Sequence, residues 1–448
     1  MAERQASLLH LSPPRGRGED AGAHQHRVTN AINLIGDDSG FMAAELSWLA
    51  PGAPELALAA DILVVHALAA AEIEGLIQER RRRGRVTLFE IGDDLSAPRP
   101  WSRHRAGAQR ALVVGRQLLH ASVSDGVQFS STALKAKYSL LNPVAAVLDN
   151  VVDFPSRVPS RSPGFAIGWG GTRSHLADLE AIAPAIMSFC AEQPRAVFSL
   201  MGDESLRVPF AGLSPGQFLW RPFSTYAEYR AFLGTLDVGL APLADGPFNR
   251  GRSDVKPIEM VAEGAAVLVQ SAPAFAALPA SLPRFEDANG LLALLRKLFA
   301  APAELVALAS AAREDLSATR GTRNVREQHL SWYRSRLLTR TGPLRLPPPN
   351  DCALRLEDAR RHAGTGETEA TLAIVHSLID EMPNYAQARW LGAQLLAGIG
   401  RTAEAIALGS PLGACPVHRH VWEPLARALG AYDDSRQCSD PGLLPTRR

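Results

Sequence analysis

Short apolar runs alternate with amphipathic stretches along most of the chain. In the first half, continuous apolar segments predict buried strands at Arg27–Ile35, Asp61–His66, Val86–Ile91, Gly126–Ser130 and Val144–Leu148. Between them, Ala70–Arg83 has apolar residues at helical spacing, and a helix is expected from about Phe41. Strands that alternate with helices in this way predict a parallel, doubly wound sheet.

The second half repeats this alternation. Strands are expected from Phe165, and at Ala196–Met201, Asp237–Leu243 and Ala265–Val269. Open α/β sheets bind ligands outside the carboxyl ends of their strands, so the loops that follow these strands should converge on one crevice. The first of them contains Gly170, Gly171 and Arg173. The glycines allow a close approach of the backbone to a ligand, and Arg173 can meet a phosphate; the alternative is a plain tight turn.

A second loop, from Asn249 to the helix that ends near Gly264, carries the strongest chemical signal. Ser253 and Asp254 are good N-cap residues, and the proline two residues after Val255 fits an early helical position. The start of this helix therefore presents N–H groups and the positive end of its dipole.

Three cations, Arg250, Arg252 and Lys256, crowd that helix start, so the sequence predicts an anion site, most simply for a phosphate. Glu259 lies one turn further along the same face, where a carboxylate can accept hydrogen bonds from a sugar hydroxyl. The alternative is an ordinary surface pair of Lys256 with Glu259 beside a capped helix.

The segment from Arg252 to Val269 resembles the donor-site helix of family 4-like glycosyltransferases, which have the two-Rossmann GT-B fold. The resemblance implies that Lys256 and the helix start hold a nucleotide diphosphate and that Glu259 binds its ribose. Many members have an earlier glutamate that contacts the donor sugar, and Gly251 stands at that position here. Either Asn249 or a backbone N–H replaces that contact, or the donor chemistry differs.

Other candidate residues follow from the same resemblance. The loop with Phe223 would border the nucleotide base, although core packing is the alternative for this ring. His66 ends a strand at the expected cleft and would contact the donor sugar or the acceptor; the alternative is a structural histidine. Asp93 and Asp94 resemble an acidic motif that orients an acceptor hydroxyl, and the alternative is a solvated acidic turn.

The end of the chain has a different residue pattern, with helices and a proline-rich segment and no predicted strands. Two helices are expected over residues 302–340, followed by the stiff proline-rich segment Pro343–Pro349. Beyond it Gly364 recurs at Gly398, and similar residues follow each glycine. A recurrence at this spacing in helix pairs resembles tetratricopeptide repeats. Two copies are marginal alone, so we expect the array to pack on the transferase body or on another chain.

Composition narrows the functional class. With a formal net charge of +1, the chain has no global charge that favours nucleic acid. Its four cysteines show no metal-ligand spacing and suit a reducing cytosol, and no His, Asp and Glu cluster predicts a metal site. No signal peptide or membrane span is expected. The basic run Arg80–Arg83 favours a solvated helix end, while a peripheral membrane contact stays open.

Taken together, the sequence predicts an α/β protein with two facing Rossmann-like domains and a small all-α helical-repeat domain. It is expected to be a cytoplasmic, retaining, metal-independent hexosyltransferase that uses a nucleotide-diphosphate sugar, no cofactor, and an unknown glycan, lipid or protein acceptor. The alternative is a weakly active or inactive sugar-nucleotide-binding scaffold that associates through its repeats. The expected segments are a disordered arm at 1–26, an acceptor domain at 27–160, a donor domain at 161–340, a linker at 341–350, repeats at 351–435 and a flexible tail at 436–448.

Overall fold

A computed structural model of the chain describes residues 5–13, 21–36, 40–97, 108–156, 165–337, 352–383, 385–415 and 417–431. The linker and the tail expected from the sequence lie outside these residues. The chain divides into two compact units. The first, here called the two-sheet unit, comprises Met1–Leu46, Ala60–Ala69 and Gly84–Leu344; the second, here called the helical unit, comprises Ser47–Ala59, Ala70–Arg83 and Arg345–Arg448.

The first sheet has six strands: β1 (Ala6–Ser12), β2 (Phe41–Ser47), β3 (Ile62–His66), β4 (Val86–Ile91), β5 (Gly126–Phe129) and β6 (Ala145–Val147). They lie in the order β2-β1-β3-β4-β5-β6, and the pairs from β1 to β6 are parallel. In register, Leu8 pairs with Ile62, which pairs in turn with Val86. Every residue of β1, β3 and β4 is buried, which agrees with the predominance of apolar residues in these strands.

The helices of this half of the chain are α1 (Ala21–His24), α2 (Asn30–Ile35), α3 (Ala53–Ala59), α4 (Glu72–Arg82), α5 (Ala108–Val123) and α6 (Thr132–Tyr138). A π-helical turn at Gln25–Thr29 joins α1 to α2. The predicted strands from Asp61 to Leu148 and the helix after His66 are confirmed within a residue or two at their ends.

The predictions for the chain up to the end of β2 were wrong. Ala6–Ser12 is a fully buried strand inside the sheet, although the sequence analysis placed it in a disordered arm. Arg27–Ile35, expected as the first strand, is helical, and the helix expected from Phe41 is the edge strand β2. The glycine, proline and arginine residues that follow β1 are typical of irregular segments, and they led to the prediction of disorder for the short apolar run of β1. Pairing with β1 holds the alanine-containing segment of β2 extended despite its helical preference.

The second sheet also has six strands: β7 (Phe165–Gly171), β8 (Ala196–Gly202), β9 (Phe218–Arg221), β10 (Val238–Ala241), β11 (Ala266–Gln270) and β12 (Arg284–Phe285). Their order is β12-β11-β10-β7-β8-β9, and the pairs are parallel. Its helices are α7 (Leu176–Glu192), α8 (Tyr226–Leu233), α9 (Val255–Ala262), α10 (Ala288–Ala300), α11 (Pro302–Arg320) and α12 (Thr322–Arg336). The expected alternation in this half is confirmed.

Two packing features of the two-sheet unit place the candidate site. Helix α12 returns to the first sheet, where Leu330 and Tyr333 share a buried cluster with residues of β1 and β3. Helix α9 packs close to β10, because a Cβ on Gly239 would meet the Met260 sulfur at 2.6 Å. At Gly264 a φ of +87° ends the turn after α9.

The helical unit is discontinuous in sequence. Its C-terminal helices are α13 (Cys352–Gly364), α14 (Thr368–Glu381), α15 (Ala386–Gly398), α16 (Thr402–Gly409) and α17 (Arg419–Ala428). The starts of α13 and α15, at 352 and 386, have the same separation as those of α14 and α16, at 368 and 402. This segment is the expected all-α part; its assignment to tetratricopeptide repeats stays a prediction.

Helices α3 and α4, which connect strands of the first sheet in sequence, pack with these C-terminal helices. The carbonyl of Ala71, next to α4, lies 3.0 Å from Nε2 of His420, and the Trp48 indole stacks on the His418 ring at 5.8 Å. The Gln387 side-chain amide donates to the Trp48 carbonyl at 2.6 Å. Residues 27–160 were expected to form one domain, whereas two parts of this segment belong to the helical unit. Over the described residues, no helix has the length and hydropathy needed to cross a membrane.

Candidate functional site

A cavity of about 590 Å³ lies between the two sheets of the two-sheet unit. Its wall from the first half is formed by the segment around the π-helical turn and by Gly92, Asp93, Ser130 and Asn150. Its wall from the second half is formed by the loops after β7, β8 and β10, by α8 and by the start of α9. The carboxyl ends of several parallel strands thus border one crevice, as the sequence predicted.

Lys256, in the first turn of α9, reaches the end of β7. Its Nζ donates to the Gly170 carbonyl at 2.8 Å and lies 4.9 Å from the centre of the Trp169 ring. A Cβ on Gly171 would collide with this ammonium, so the glycine there makes room for it. Burial lowers the pKa of Lys256 to about 8, because the ammonium loses water and the nearby charges of Glu259 and Asp178 offset this loss only in part.

Glu259 is 1% exposed and is held by aromatic side chains. The hydroxyls of Tyr226 and Tyr229 donate to its two oxygens at 2.9 Å and 3.2 Å. Nε2 of His26, from the opposite half, lies 3.4 Å from the carboxylate. Burial and the neighbouring Glu259 charge raise the pKa of both tyrosines, which therefore stay protonated hydrogen-bond donors.

Asp254 does not act as the cap that the sequence predicted. No side-chain bond caps the start of α9, because both Asp254 oxygens accept hydrogen bonds from Arg320, at 2.6 Å and 3.1 Å. Ser253 does line the cavity, as do Arg252 and Lys256. The structure therefore brings two cations and a serine to the start of α9.

Asn249 was one of the alternatives for the donor-sugar contact that the family's glutamate makes. Its amide instead donates to Asp178 at 2.8 Å and to the Ala244 carbonyl at 2.9 Å, and its oxygen accepts from Nε of Arg252 at 3.0 Å. All three of these hydrogen bonds join the Asn249 side chain to other residues of the protein. Asn249 is absent from the described residues that line the cavity.

Gly251, at the position of the family's glutamate, packs against the first half of the two-sheet unit. Its carbonyl accepts from the Ser131 hydroxyl at 2.9 Å, and a Cβ added to it would meet the Leu134 side chain at 2.9 Å. A larger residue there requires the Leu134 side chain, on α6, to move. The start of α6 thus occupies the space beside the glycine.

Arg173, Gly170 and Gly171 were predicted to meet the ligand together, but they differ in their position relative to the cavity. Gly171 and its neighbours Thr172 and Ser174 line the cavity, whereas Arg173 is exposed and is not among the described lining residues. Its backbone N–H donates to Asp203 at 2.5 Å, which holds the loop closed. Gly170 contributes its carbonyl to Lys256. The structure therefore does not bring Arg173 to the described wall, where a phosphate contact was predicted for it.

The two neighbouring aspartates of the first half, Asp93 and Asp94, lie in different surroundings. Asp93 lines the cavity, but Asp94 is buried and accepts hydrogen bonds from Lys137 and Tyr138, both at 2.6 Å. Burial acts to raise the pKa of Asp94, and these hydrogen bonds outweigh it, so its pKa is lowered. Asp94 therefore holds the turn together from a buried position and not as part of the solvated turn that was its alternative, and the catalytic expectation rests on Asp93 alone.

His66 lies at the end of β3 but is not among the described residues of the cavity wall. It is 4% exposed, with its ring 6.3 Å from that of His24 in an edge-to-face arrangement. Burial, and then the charges of His24 and Arg27, lower its pKa to about 3, so the ring is neutral at physiological pH. This placement agrees with the structural alternative for His66.

Phe223 is the most exposed aromatic residue of the cavity wall, at 44%, and its ring lies 5.7 Å from that of Tyr229. Core packing, the alternative for Phe223, does not describe this position. Tyr226 stacks on Tyr229 at 6.2 Å, so three rings form one aromatic wall. Such a wall suits a planar group.

Residues 22–29, for which no role was predicted from the sequence, also form part of the cavity wall. Arg27 is 4% exposed, donates to Glu90 at 2.8 Å and to the Leu148 carbonyl at 2.6 Å, and so fixes the turn against the first sheet. His26 projects towards Glu259, and burial lowers its pKa. The apolar residues Val28, Ile32 and Ile35 recur at helical spacing, a signal that could have identified this helix. Among the described residues, no cluster of three His, Cys, Asp or Glu could hold a metal ion.

Neither a protein-family model nor a curated protein matches the sequence. Solved structures match the architecture. Anabaena HepE in complex with UDP and glucose has a TM-score of 0.54 at 13% identity, over 74% of this chain and 100% of that chain. The N-terminal domain of Candida albicans trehalose-6-phosphate phosphatase has a TM-score of 0.51 at 10% identity, over 75% of this chain and 98% of that chain.

The match to TarM has a TM-score of 0.47 at 11% identity and covers 61% of this chain and 54% of that chain, so the present chain spans about half the length of TarM. At these identities the likeness concerns the fold. Two parallel six-stranded sheets, a cavity at their facing carboxyl ends and the match to HepE show that the chain has the two-Rossmann GT-B fold with an added all-α segment.

Proposed function

We propose that the protein is a glycosyltransferase that moves a hexose from a nucleotide-diphosphate sugar to an acceptor. The observation that carries this proposal is the joint placement of Lys256, Arg252 and Glu259 on one wall of the cavity. Two cations at a helix start suit a diphosphate, and a buried carboxylate with hydroxyl neighbours suits a ribose. HepE, which has the same fold, was solved with UDP-glucose.

In this proposal the donor lies on the second half of the two-sheet unit. Phe223 and the tyrosines next to it border the base, and the diphosphate lies across the start of α9. As the sugar leaves, negative charge grows on the diphosphate, and Lys256 and Arg252 stabilise it from fixed positions. Losing one such contact should raise the barrier by about 2–4 kcal/mol, as for a donor in an oxyanion hole.

Transfer with retention and without a bound metal is part of the proposal, since fixed cations supply the charge that a metal would otherwise supply. Two measurements test it: the anomeric configuration of the product by NMR, and turnover with and without EDTA. An inverted product contradicts the retaining step, and loss of activity on chelation contradicts metal independence. The acceptor, which approaches from the side of Asp93, is left open among glycan, lipid and protein.

We place the protein in the cytoplasm, because Cys190, Cys352 and Cys415 are free thiols and such thiols persist in reducing compartments. The helical unit is proposed as a surface for self-association or for a protein partner.

The second candidate is a sugar-nucleotide-binding scaffold with little or no turnover. The observations that favour it are Gly251, whose surroundings are already filled, and Glu259, whose two oxygens already accept from tyrosines. A scaffold of this kind would bind the nucleotide without hydrolysing or transferring the sugar. Prolonged incubation with a bound nucleotide sugar, followed by chromatography, separates the two candidates.

The decisive experiment is a thermal-shift panel of UDP, GDP, ADP and dTDP with their common sugars. At about 100 times its Kd, a ligand adds about 2.7 kcal/mol of stability, which gives a clear rise in Tm. We expect one base to be preferred and its free nucleoside to give a smaller shift. If a folded protein shows no shift with any nucleotide, the proposed function is wrong.

A further inference from the structure

Arg252, in the wall of the cavity, contacts three neutral groups. Its Nη1 donates to Nε2 of His175 at 2.7 Å, its Nε to the Asn249 oxygen at 3.0 Å and its Nη2 to the Ser174 hydroxyl at 3.0 Å. Its guanidinium carbon lies 4.9 Å from the centre of the Phe248 ring. These contacts fix the plane of the guanidinium group.

A single buried carboxylate orients two of these three acceptors. Oδ2 of Asp178 lies 2.6 Å from Nδ1 of His175, and Oδ1 accepts from the Asn249 amide at 2.8 Å and from the Ala244 backbone N–H at 2.9 Å. Asp178 is 1% exposed and His175 is 3% exposed. One side chain at the start of α7 therefore sets the direction of two groups that meet Arg252.

The carboxylate also selects the tautomer of His175. Because Nδ1 faces a carboxylate, it carries the proton, and Nε2 is left with the lone pair that accepts from Arg252. Burial and the charges of Arg252 and Lys256 keep the pKa of His175 well below its ordinary value, in agreement with a neutral ring. If the ring carried its proton on Nε2 instead, two donors would face each other.

The arrangement keeps two positive charges near each other. Arg252 acts to lower the pKa of Lys256, so the two cations repel each other across the start of α9, while the charge of Asp178 acts in the opposite direction. Burial raises the pKa of Asp178 to about 6, which leaves the carboxylate ionised at neutral pH. Asp178 thus offsets part of the repulsion and reaches Arg252 through the histidine and the amide.

We infer that Asp178, acting through His175 and Asn249, is a positioning residue that aims Arg252 at the diphosphate of the bound nucleotide. This inference rests on the proposed function, since it assigns a role within the same nucleotide site. Its specific content is that neutral histidine and amide acceptors, both set by one carboxylate, determine the affinity for the phosphates and leave the base and ribose contacts unchanged.

The test uses the full chain and isothermal calorimetry with the preferred nucleoside diphosphate of the panel, its nucleoside and inorganic pyrophosphate. We expect Asp178→Asn and His175→Ala each to weaken the diphosphate about tenfold or more while the nucleoside changes by less than about twofold, as for loss of one charge-assisted hydrogen bond. His175→Gln, which can still offer an acceptor to Arg252, should restore most of the affinity. Asp61→Asn serves as the matched control, because Asp61 is equally buried and hydrogen-bonded but lies at the start of β3.

A double-variant cycle separates positioning from general stability. If His175 acts through Arg252, then His175→Ala should add nothing to the loss caused by Arg252→Ala. Additive losses, or equal losses for diphosphate and nucleoside, would overturn the inference while wild-type nucleotide binding still supported the proposed function. If the wild type binds no nucleotide, it is the proposed function that fails.

Buried variants of this kind can unfold, so one further substitution keeps the inference testable. Arg252→Lys keeps the charge on the half-buried cavity wall but cannot make the three-way contact of a guanidinium group. We expect it to weaken the diphosphate and pyrophosphate and to leave the nucleoside unchanged. Affinity equal to that of the wild type would show that charge alone matters, and the positioning role of Asp178 would be rejected.

Discussion

Lys256→Met is the substitution with the sharpest expected outcome, because the same charge should weaken the fold and strengthen the ligand site. The pKa of Lys256 falls from 10.5 to about 8, and at about 1.36 kcal/mol per pKa unit this difference corresponds to roughly 3 kcal/mol of unfavourable free energy for the charged form in the folded protein. Methionine has a similar shape and no charge. It leaves the Gly170 carbonyl without its donor, which costs about 1–2 kcal/mol. The variant should therefore be more stable by about 1–2 kcal/mol at pH 7.

The stability difference between Lys256→Met and the wild type should depend on pH. Between pH 8 and 10.5 the unfolded chain binds a proton on Lys256 that the folded protein has lost, so wild-type stability rises with pH relative to the variant. The advantage of Lys256→Met should be complete below pH 8 and should disappear as the pH approaches 10.5. Scanning calorimetry of the ligand-free proteins at several pH values measures this difference.

The same variant should bind the nucleoside diphosphate at least about tenfold more weakly at pH 7, as expected for the loss of a charged hydrogen bond. Lys297→Met is the matched control, since Lys297 lies at the surface and pairs with Glu304. A Lys256 variant that is less stable than the wild type at pH 7, or a gain in stability that persists unchanged to pH 10, would refute the assignment of a desolvated cation to this position.

Three further substitutions test other parts of the structure. Glu259→Ala should weaken nucleotide binding and also lower Tm, because two tyrosine hydroxyls lose their acceptor at a cost of about 1–3 kcal/mol. Glu259→Gln should keep most of the stability, and an unchanged Tm for the alanine variant would contradict the hydrogen bonds described. Gly251→Glu, which restores the residue type of the resembled family, should lower nucleotide affinity in calorimetry because its Cβ meets Leu134, and a rise in activity would show that α6 moves freely. Gly409→Val should unfold the helical unit, since the added Cβ would collide with the Trp422 indole, while Gly398→Val, with open space around it, is the control. If limited proteolysis cleaves the two variants equally fast, the packing of Trp422 against Gly409 is contradicted.

The four inner strands of the second sheet, β7, β8, β10 and β11, could be predicted from the sequence because nearly all of their residues are buried. Phe165–Gly171 and Ala266–Gln270, for example, are short runs without charged residues. The chain before β2 lacked such a signal. Strand β1 is short and is surrounded by residues typical of irregular segments, so its place in the sheet depends on pairing with β3, which comes much later in the chain.

For the candidate site, the sequence predicts which segment carries the cations and the carboxylate, but it does not predict the direction of each side chain. The helix start at Val255 and the cavity positions of Lys256 and Glu259 agree with the spacing of residues along α9. Local sequence cannot show that Asp254 pairs with Arg320, on α11, or that Asn249 turns towards Asp178, on α7. These partners come from distant elements, and competition among them decides which groups are left to face a ligand.

The discontinuous helical unit has a consequence for how the chain is made. Trp48 is 1% exposed in the folded protein, yet the C-terminal helices that cover it begin only at Cys352, after the whole two-sheet unit has been synthesised. At translation rates of roughly 5–20 residues per second, the indole and its neighbours wait about 15–60 s until the first of these helices is synthesised. During that time the ribosome-bound chain carries an uncovered apolar surface. Holding chaperones, or slow codons before residue 352, should therefore affect the yield of this protein more than that of a chain whose domains follow one another in sequence.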